Sequence, residues 1–267
     1  MTKPSNCLSI LQLSDLHILS GPEATLLGVN TAYYFDAVLR LALASHEAID
    51  LILLTGDLAQ DPIAESYNYI VARMTDVGIP CLCLPGNHDD FGLMQTILNN
   101  HIISCAKQTV LADWQIICLN SQILGEDGGL LSAQEMAWLT HCLDTEPDKN
   151  ALIAVHHHCL LTHSEWMDEM MIQNSSEFLQ LIRQYRRARL VINGHIHQEQ
   201  DEVVGSLCVL GVPSTCFQFK PGSKTFGLDE TAPGYRLLTL YPDGRFTTYV
   251  GRLAERLVGL EEHTNGY

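Results

Sequence analysis

The stretch Leu190-Val191-Ile192-Asn193-Gly194-His195-Ile196-His197 joins a short apolar run to a glycine and two histidines. Three aliphatic residues before a glycine turn read as a buried strand, too short for a helix. The imidazoles of His195 and His197, two positions apart beside Gly194, can point to one side. Four other places in the chain repeat this plan. Ile10-Leu11-Gln12-Leu13 leads to Asp15-Leu16-His17, and Leu51-Ile52-Leu53-Leu54 leads to Gly56-Asp57. Cys81-Leu82-Cys83-Leu84 leads to Gly86-Asn87-His88-Asp89, and Leu152-Ile153-Ala154-Val155 to His156-His157-His158. Side chains at the carboxyl ends of several buried strands converge in space although far apart in sequence. The pattern predicts a metal site, and two metals in it.

The clusters carry unequal weight. Asp15-x-His17 by itself is a capping aspartate and a surface histidine, and Gly56-Asp57 by itself is a turn. Pro85-Gly86 forces a tight turn that presents Asn87, His88 and Asp89 together, so it says more. Seven of the twelve histidines fall within these clusters, which chance placement does not explain. The other five, His46, His101, His141, His163 and His263, read as surface or packing residues.

The bulk of the chain limits what surrounds the site. A length of 267 residues with no linker, low-complexity tract or internal repeat reads as one domain over residues 1–267, with its core about residues 8–253. The start, Met1-Thr2-Lys3-Pro4-Ser5-Asn6-Cys7, lacks the apolar segment of a secretory signal, and no run reaches transmembrane length, so a cytoplasmic protein is expected. Nine cysteines, several inside apparent strands (Cys81, Cys83, Cys118, Cys208), fit buried thiols in a reducing compartment better than a disulfide framework. A net charge of -16 disfavours nucleic acid and anionic lipid as partners. Arg183, Arg186, Arg187 and Arg189 read as a solvated face near a helix end.

The order of elements gives the fold class. Helices are expected from about Thr31 to His46, capped by Asn30 or Thr31, and near Ile63 to Met74. Strand-helix-strand-helix-strand implies parallel crossovers. Ile102-Ile103, Thr109-Val110-Leu111 and Gln115-Ile116-Ile117-Cys118-Leu119 suggest short strands in local antiparallel pairing. Ser132-Ala133-Gln134-Glu135 is a capping box opening a helix through about Leu143, and another helix covers roughly Ser176 to Arg186. The last third alternates strands with turns. The class is α/β, a four-layer α-β-β-α sandwich of two mixed sheets flanked by helices.

Taken in order, Asp-x-His, Gly-Asp, Gly-Asn-His-Asp, His and Gly-His-x-His resemble the calcineurin-like metallophosphoesterases. The blocks Leu27-Gly28-Val29-Asn30-Thr31, Thr55-Gly56-Asp57-Leu58-Ala59-Gln60-Asp61, Leu84-Pro85-Gly86-Asn87-His88-Asp89 and Pro213-Ser214-Thr215-Cys216-Phe217-Gln218-Phe219-Lys220-Pro221 are similar to those of bacterial class III 3',5'-cyclic-AMP phosphodiesterases. The resemblance implies that Asp15, His17 and His197 hold a first ion, that Asp57 bridges to a second, and that Asn87, His156 and His195 complete it. Imidazole, carboxylate and amide oxygen suit iron or manganese, with zinc as a further option, and not a soft thiolate metal. Of the three successive histidines, His156 comes directly off the strand and is preferred as ligand, leaving His157 to face substrate or core.

Two ions sharing a carboxylate can activate a water as hydroxide for in-line attack on phosphorus. His88, beside Asn87 and not needed as a ligand, is the candidate general acid or phosphate donor. His17, Asp57, Asn87, His88, His157 and His195 are expected against the substrate. Relatives often place an aspartate three residues after the bridging one to orient this histidine. Here that position is Gln60, so either Asp61 takes the role or His88 lacks a carboxylate partner. Trp166, Asp168 and Asn174 match a subfamily block and suggest a lid or nucleotide pocket; Phe217 and Phe219 read as core or interface. The expected activity is hydrolysis of 3',5'-cyclic AMP to 5'-AMP. Alternatives are a broader phosphoesterase acting on 2',3'-cyclic nucleotides or other small phosphodiesters, and a non-catalytic scaffold. A small cyclic nucleotide is the expected partner, and a homodimer contact built by Phe217 to Pro221 and the C-terminal strands is a further expectation.

Overall fold

A computed structural model describes residues 6–21, 23–261, 264 and 266; His263 lies outside the described residues. Two six-stranded sheets form its centre. The first contains β1 (Leu8–Leu13), β2 (Leu51–Thr55), β3 (Cys81–Leu84), β4 (Ile103–Ser104), β13 (Gly234–Leu240) and β14 (Phe246–Arg252), in the order β14-β13-β1-β2-β3-β4. Strands β1 to β4 run parallel, and β13 and β14 add antiparallel at one side. The second contains β5 (Gln108–Leu111), β6 (Trp114–Cys118), β7 (Asn150–Val155), β8 (Ala188–Asn193), β9 (Gln200–Val204) and β10 (Leu207–Gly211), in the order β5-β6-β7-β8-β10-β9. Its parallel centre is flanked by antiparallel β5 and β9. A separate ribbon pairs β11 (Gln218–Phe219) with β12 (Leu228–Asp229).

The sandwich follows from the two-residue period of the strands. In β2, Ile52 and Leu54 face a helical layer, while Leu51 and Leu53 face the other sheet. In β7, Ile153 and Val155 face outward and Leu152 and Ala154 inward. Alternate residues thus enter different apolar layers, which is what a strand buried on both faces requires. Outside the first sheet lie α1 (Thr31–Ser45), α2 (Ala64–Val77) and α3 (Phe91–Ile97), contributing Phe35, Ile70 and Met94. Outside the second lie α4 (Ala133–Thr145) and α6 (Ser175–Ile182), contributing Leu139 and Phe178. The short α5 (Glu165–Asp168) sits with a smaller apolar cluster around Phe217 and Phe219. Each fully buried Leu, Ile or Phe contributes about 1.5–3 kcal/mol relative to exposure, so the layers hold the strand ends rigidly.

Local expectations hold for α1, whose cap is Asn30, accepting from the Tyr33 amide at 2.8 Å. Others need correction. Ile103 pairs in parallel with Cys81 of β3, so this segment extends the first sheet and is not antiparallel. The helix expected to reach Arg186 stops at Ile182, because Gln184 and Tyr185 donate to carbonyls three residues back and tighten its end into turns. Ser132 accepts from the Glu135 amide, but the Glu135 carboxylate binds Lys107 and the Asn120 amide, so only half a capping box forms. The short α3, anticipated by no periodicity, rests on Asp90 accepting from the Leu93 amide.

Candidate metal centre

All five clusters reach one end of the sandwich. The segment after β1 runs beside the segment after β2: Asp15 N donates to Gly56 O, His17 N to Asp57 O, and Ile18 N to Leu58 O. Parallel pairing thus continues past the strand ends and sets Asp15 and His17 next to Asp57. Gly194 N donates to His156 O, which does the same for the segments after β7 and β8. Asp15, His17, Asp57, His195 and His197 all have left-handed backbones, with φ of 55°, 46°, 50°, 66° and 47°. Such conformations in non-glycine residues cost about 1–3 kcal/mol each and gather at functional sites. Here they turn side chains from successive strands toward one centre.

Two glycines make the approach possible. A Cβ on Gly86 would lie 2.1 Å from Asp57 Oδ1, and one on Gly194 would lie 2.0 Å from Ser14 Oγ and 2.8 Å from Asp15 Oδ2. Asp89 fixes the turn around Gly86: its carboxylate accepts from the amides of Gly86, Leu58 and Ala59 and from the Tyr67 hydroxyl. Burial, with Asp57 nearby, pushes Asp89 up to about 6.

The imidazoles are oriented from behind. His17 Nδ1 lies 2.7 Å from Gln60 Oε1, His156 Nδ1 2.9 Å from Thr55 O, and His197 Nδ1 2.9 Å from Phe217 O. Each outer nitrogen must therefore donate, which leaves Nε2 turned inward with a lone pair when the ring is neutral. The inner atoms are close. His17 Nε2 is 3.3 Å from His197 Nε2, and His197 Nε2 is 3.3 Å from Asp15 Oδ1. Asp57 Oδ2 sits between two rings, 3.3 Å from His156 Nε2 and 3.9 Å from His17 Nε2. His156 Nε2 is also 3.1 Å from Asn87 Oδ1. The Nε2 of buried His195 has no hydrogen-bond partner among the described residues.

The charges follow from this packing. Burial would raise Asp57, yet the adjoining His156 and His88 hold it well below the usual carboxylate range. Burial would lower His156, yet Asp57 at its Nε2 raises it to about 9. Both His156 nitrogens face acceptors, and a proton on the inner one would occupy the position where a cation finds a lone pair. Burial takes His17 down to about 3, against the pull of Asp57. Inward lone pairs, carboxylate oxygens and an orphaned imidazole nitrogen form a donor set that suits hard or borderline cations. Asp15, His17 and His197 form one group whose ligand atoms lie within 4.8 Å of one another; Asp15, Asp57 and His156 form a second, and His17, Asp57 and His88 a third.

His156, His157 and His195 make a fourth such group. His157, however, is fully buried, with Nδ1 2.7 Å from Ser121 Oγ and Nε2 3.1 Å from Asp127 O. Both nitrogens are engaged inside the protein, which favours packing over substrate contact. His88 is only half-buried, and its amide donates to Asp57 Oδ1. It borders a cleft of about 340 Å³ also lined by Asp57, Asn87, His195, Trp166, Phe226 and Glu169. Asp61 is exposed, and Gln60 serves His17, so the position in question orients a different ring. Asp168 accepts from Thr162 and Asn174 binds the Leu131 backbone, so both brace loops while Trp166 faces the cleft. Phe217 and Phe219 are buried, and Phe219 stacks on His197 at 4.1 Å. Sequence reading missed the supports Thr55 O, Phe217 O and Gln122, whose amide donates to Gly86 O. Backbone acceptors leave no residue-type signal.

A family model described as calcineurin-like phosphoesterase matches residues 8–199. The chain belongs to the calcineurin-like phosphoesterases. Among its relatives, the 3',5'-cyclic adenosine monophosphate phosphodiesterase CpdA of Vibrio vulnificus is 39% identical over 254 residues, covering 95% of this chain and 93% of its own. CpdA of Escherichia coli K12 is 38% identical over 259 residues, covering 97% and 94%. A 3',5'-cyclic-nucleotide phosphodiesterase of Nostoc is 39% identical over 246 residues, covering 92% of each. Among solved structures, a dimetal phosphatase from Danio rerio superposes with a TM-score of 0.66 at 12% identity, covering 95% of this chain and 99% of that one. GAP50, described as the anchor in the inner membrane complex of Plasmodium, superposes at 0.63 with 11% identity, covering 93% and 89%. At such identities the calcineurin-like phosphoesterase fold is shared, and nothing more.

Proposed function

We propose that this chain is a dinuclear-metal phosphodiesterase that hydrolyses 3',5'-cyclic AMP to 5'-AMP. The observation that carries the catalytic reading is Asp57 Oδ2 lying between the inward nitrogens of His156 and His17. A carboxylate so placed can serve two cations at once. Asp15, His17 and His197 would hold one, Asn87, His156 and His195 the other, with Asp57 common to both; iron or manganese suits the donors. Bound there, the ions would supply Lewis acidity toward a phosphoryl oxygen and lower the pKa of a water.

The chain's own groups do the rest. Asp15 and Asp57, both buried, keep the centre negative enough to retain cations. Gln60, Thr55 and Phe217 hold the ring planes, so the site need not reorganise during reaction. His88, half-buried at the cleft, is the proton donor to the departing ribose oxygen. The nucleoside fits the cleft beyond it, where Trp166 and Phe226 offer ring surface and Glu169 an acceptor for an amino group. The 35–39% identities to proteins named as cyclic-AMP or cyclic-nucleotide phosphodiesterases support the substrate.

Among the described residues no helix is long and apolar enough to cross a membrane. Cysteines with no disulfide among the described residues support action in a reducing cytoplasm. A homodimer contact through the C-terminal strands would use β14, one edge of the first sheet. The test is hydrolysis of 3',5'-cyclic AMP, 3',5'-cyclic GMP, 2',3'-cyclic AMP and a bis-aryl phosphate with added iron or manganese. The reading expects 3',5'-cyclic AMP to be turned over. A preference for the 2',3'-cyclic nucleotide by orders of magnitude overturns it.

A further inference from the structure

The β3–β4 edge of the first sheet carries a pair of thiols outside the metal centre. Cys83 lies in β3, and Cys105 directly follows β4, an edge strand of two residues. Parallel pairing of Leu82 with Ser104 sets the two cysteines side by side, and their sulfurs are 3.4 Å apart. Both are buried, but a small cleft between β3, α3 and the start of the second sheet is lined by Cys83, Cys105 and Cys118. The cleft is small, about 10 Å³, and the two sulfurs share its wall.

We propose that Cys83 and Cys105 form an oxidisable thiol pair, closed to a disulfide by hydroperoxides, and that closure slows the adjoining centre. The hydrogen bond between the sulfurs divides the roles. Contact with Cys83 holds the Cys105 thiol below its ordinary pKa, while the same contact and burial push Cys83 well above. Cys105 is therefore the nucleophile and Cys83 the resolving thiol. The Cys105 sulfur attacks one peroxide oxygen, the O–O bond breaks, and water or an alcohol leaves with the thiol proton. The Cys83 sulfur then attacks the sulfenic sulfur, the S–S bond forms, the S–O bond breaks, and water leaves. Two thiols lose two electrons, and one peroxide is reduced.

Closure is felt at the site because of where Cys83 stands. The sulfurs must approach from 3.4 Å to about 2.05 Å. Cys83 precedes Pro85 by two residues, and the next residue, Gly86, has no spare room against Asp57. A shift of ~1 Å in a reacting group costs about 10²-fold in rate. Thiol–disulfide exchange reopens such a pair, so the effect is reversible.

The test treats the intact metal-loaded protein with equimolar hydrogen peroxide, alkylates free thiols under denaturing conditions, and maps the peptides. The expected product is a Cys83–Cys105 crosslink lacking two hydrogens, with turnover down about tenfold or more and restored by dithiothreitol. Cys105→Ser should keep basal turnover and resist both changes. The crosslink arm is independent of the phosphodiesterase reading; only the rate arm rests on it. If turnover falls while both thiols remain alkylatable, or Cys105→Ser is inhibited like the parent, the pair is not the target and the proposal fails. A crosslink that leaves turnover unchanged overturns the regulatory half. Should Cys105→Ser misfold, Cys83→Ala serves the same comparison, and the peptide map of the parent chain decides by itself.

Discussion

Gly86→Ala adds one methyl group, touches no charge, and should nonetheless disable the enzyme. The new Cβ would fall 2.1 Å from Asp57 Oδ1 and 2.4 Å from Asp57 N. Real Cβ contacts essentially never come under 3.0 Å, so Asp57 or the turn must retreat by about 0.9 Å. Neither can do so freely. The Gly86 amide is bound to Asp89, its carbonyl accepts from Gln122, and the His88 amide is bound to Asp57 Oδ1. Overpacking of this kind costs about 1–3 kcal/mol of stability, which a two-sheet core of this size tolerates. The catalytic cost is larger, because a displacement near 1 Å at a reacting centre is worth about 10²-fold. Steady-state kinetics on 3',5'-cyclic AMP under saturating manganese, with circular dichroism to confirm folding, provide the assay. A folded Gly86→Ala protein with parental kcat/KM would refute the claim that the turn and Asp57 are held in register by contact.

Three further outcomes follow from the same geometry. Gln60→Ala removes the acceptor behind His17 and should weaken metal binding about 10–100-fold; calorimetric titration giving unchanged affinity would contradict that role. Trp166→Ala should raise KM for 3',5'-cyclic AMP about tenfold, with kcat little changed, since base stacking is worth about 1–3 kcal/mol. Base-free ribose 3',5'-cyclic phosphate should be indifferent to the change, and equal losses on both substrates would remove the nucleoside from this cleft. Protonation of His156 sets a pH dependence. Its value in the metal-free fold is raised from 6.5 to about 9, so its pairing with Asp57 stabilises that fold fully below 6.5 and fades as pH rises through 9. The cation must displace the same proton, so metal affinity should rise over that window with proton release. Proton counting in buffers of different ionisation enthalpy checks this; pH-independent uptake without release would contradict it.

The layers and the centre were legible in the sequence to different degrees. Ile52 and Leu54 against Leu51 and Leu53 show why: a strand buried on both faces reads as a continuous apolar run, and its end is marked by the glycine or polar turn that follows. Those ends carry Asp15, Asp57, Asn87, His156 and His195, so the strands and the candidate ligands are read from the same stretches. The sense of the Ile103 pairing was not legible, because two residues at a sheet edge carry no period and either direction satisfies their hydrogen bonds. The supports behind the rings were hidden for another reason. Thr55 O and Phe217 O are main-chain atoms, and Gln60 drew attention only as a departure from the family's aspartate. Its amide oxygen turned out to face His17, a relation fixed by the parallel course of the segments after β1 and β2. The partners of His157 were equally hidden: Ser121 and Asp127, distant in sequence, face both its nitrogens.

The central claim is that one carboxylate, Asp57, joins two ions in a single centre. The most direct test is the number of metal ions bound per chain, measured by elemental mass spectrometry on the parent protein and on Asp57→Asn after loading with manganese and removal of excess. The account predicts two per parent chain, and one or fewer in Asp57→Asn with turnover of 3',5'-cyclic AMP lost. One ion in the parent, or two ions and full turnover in Asp57→Asn, would contradict it.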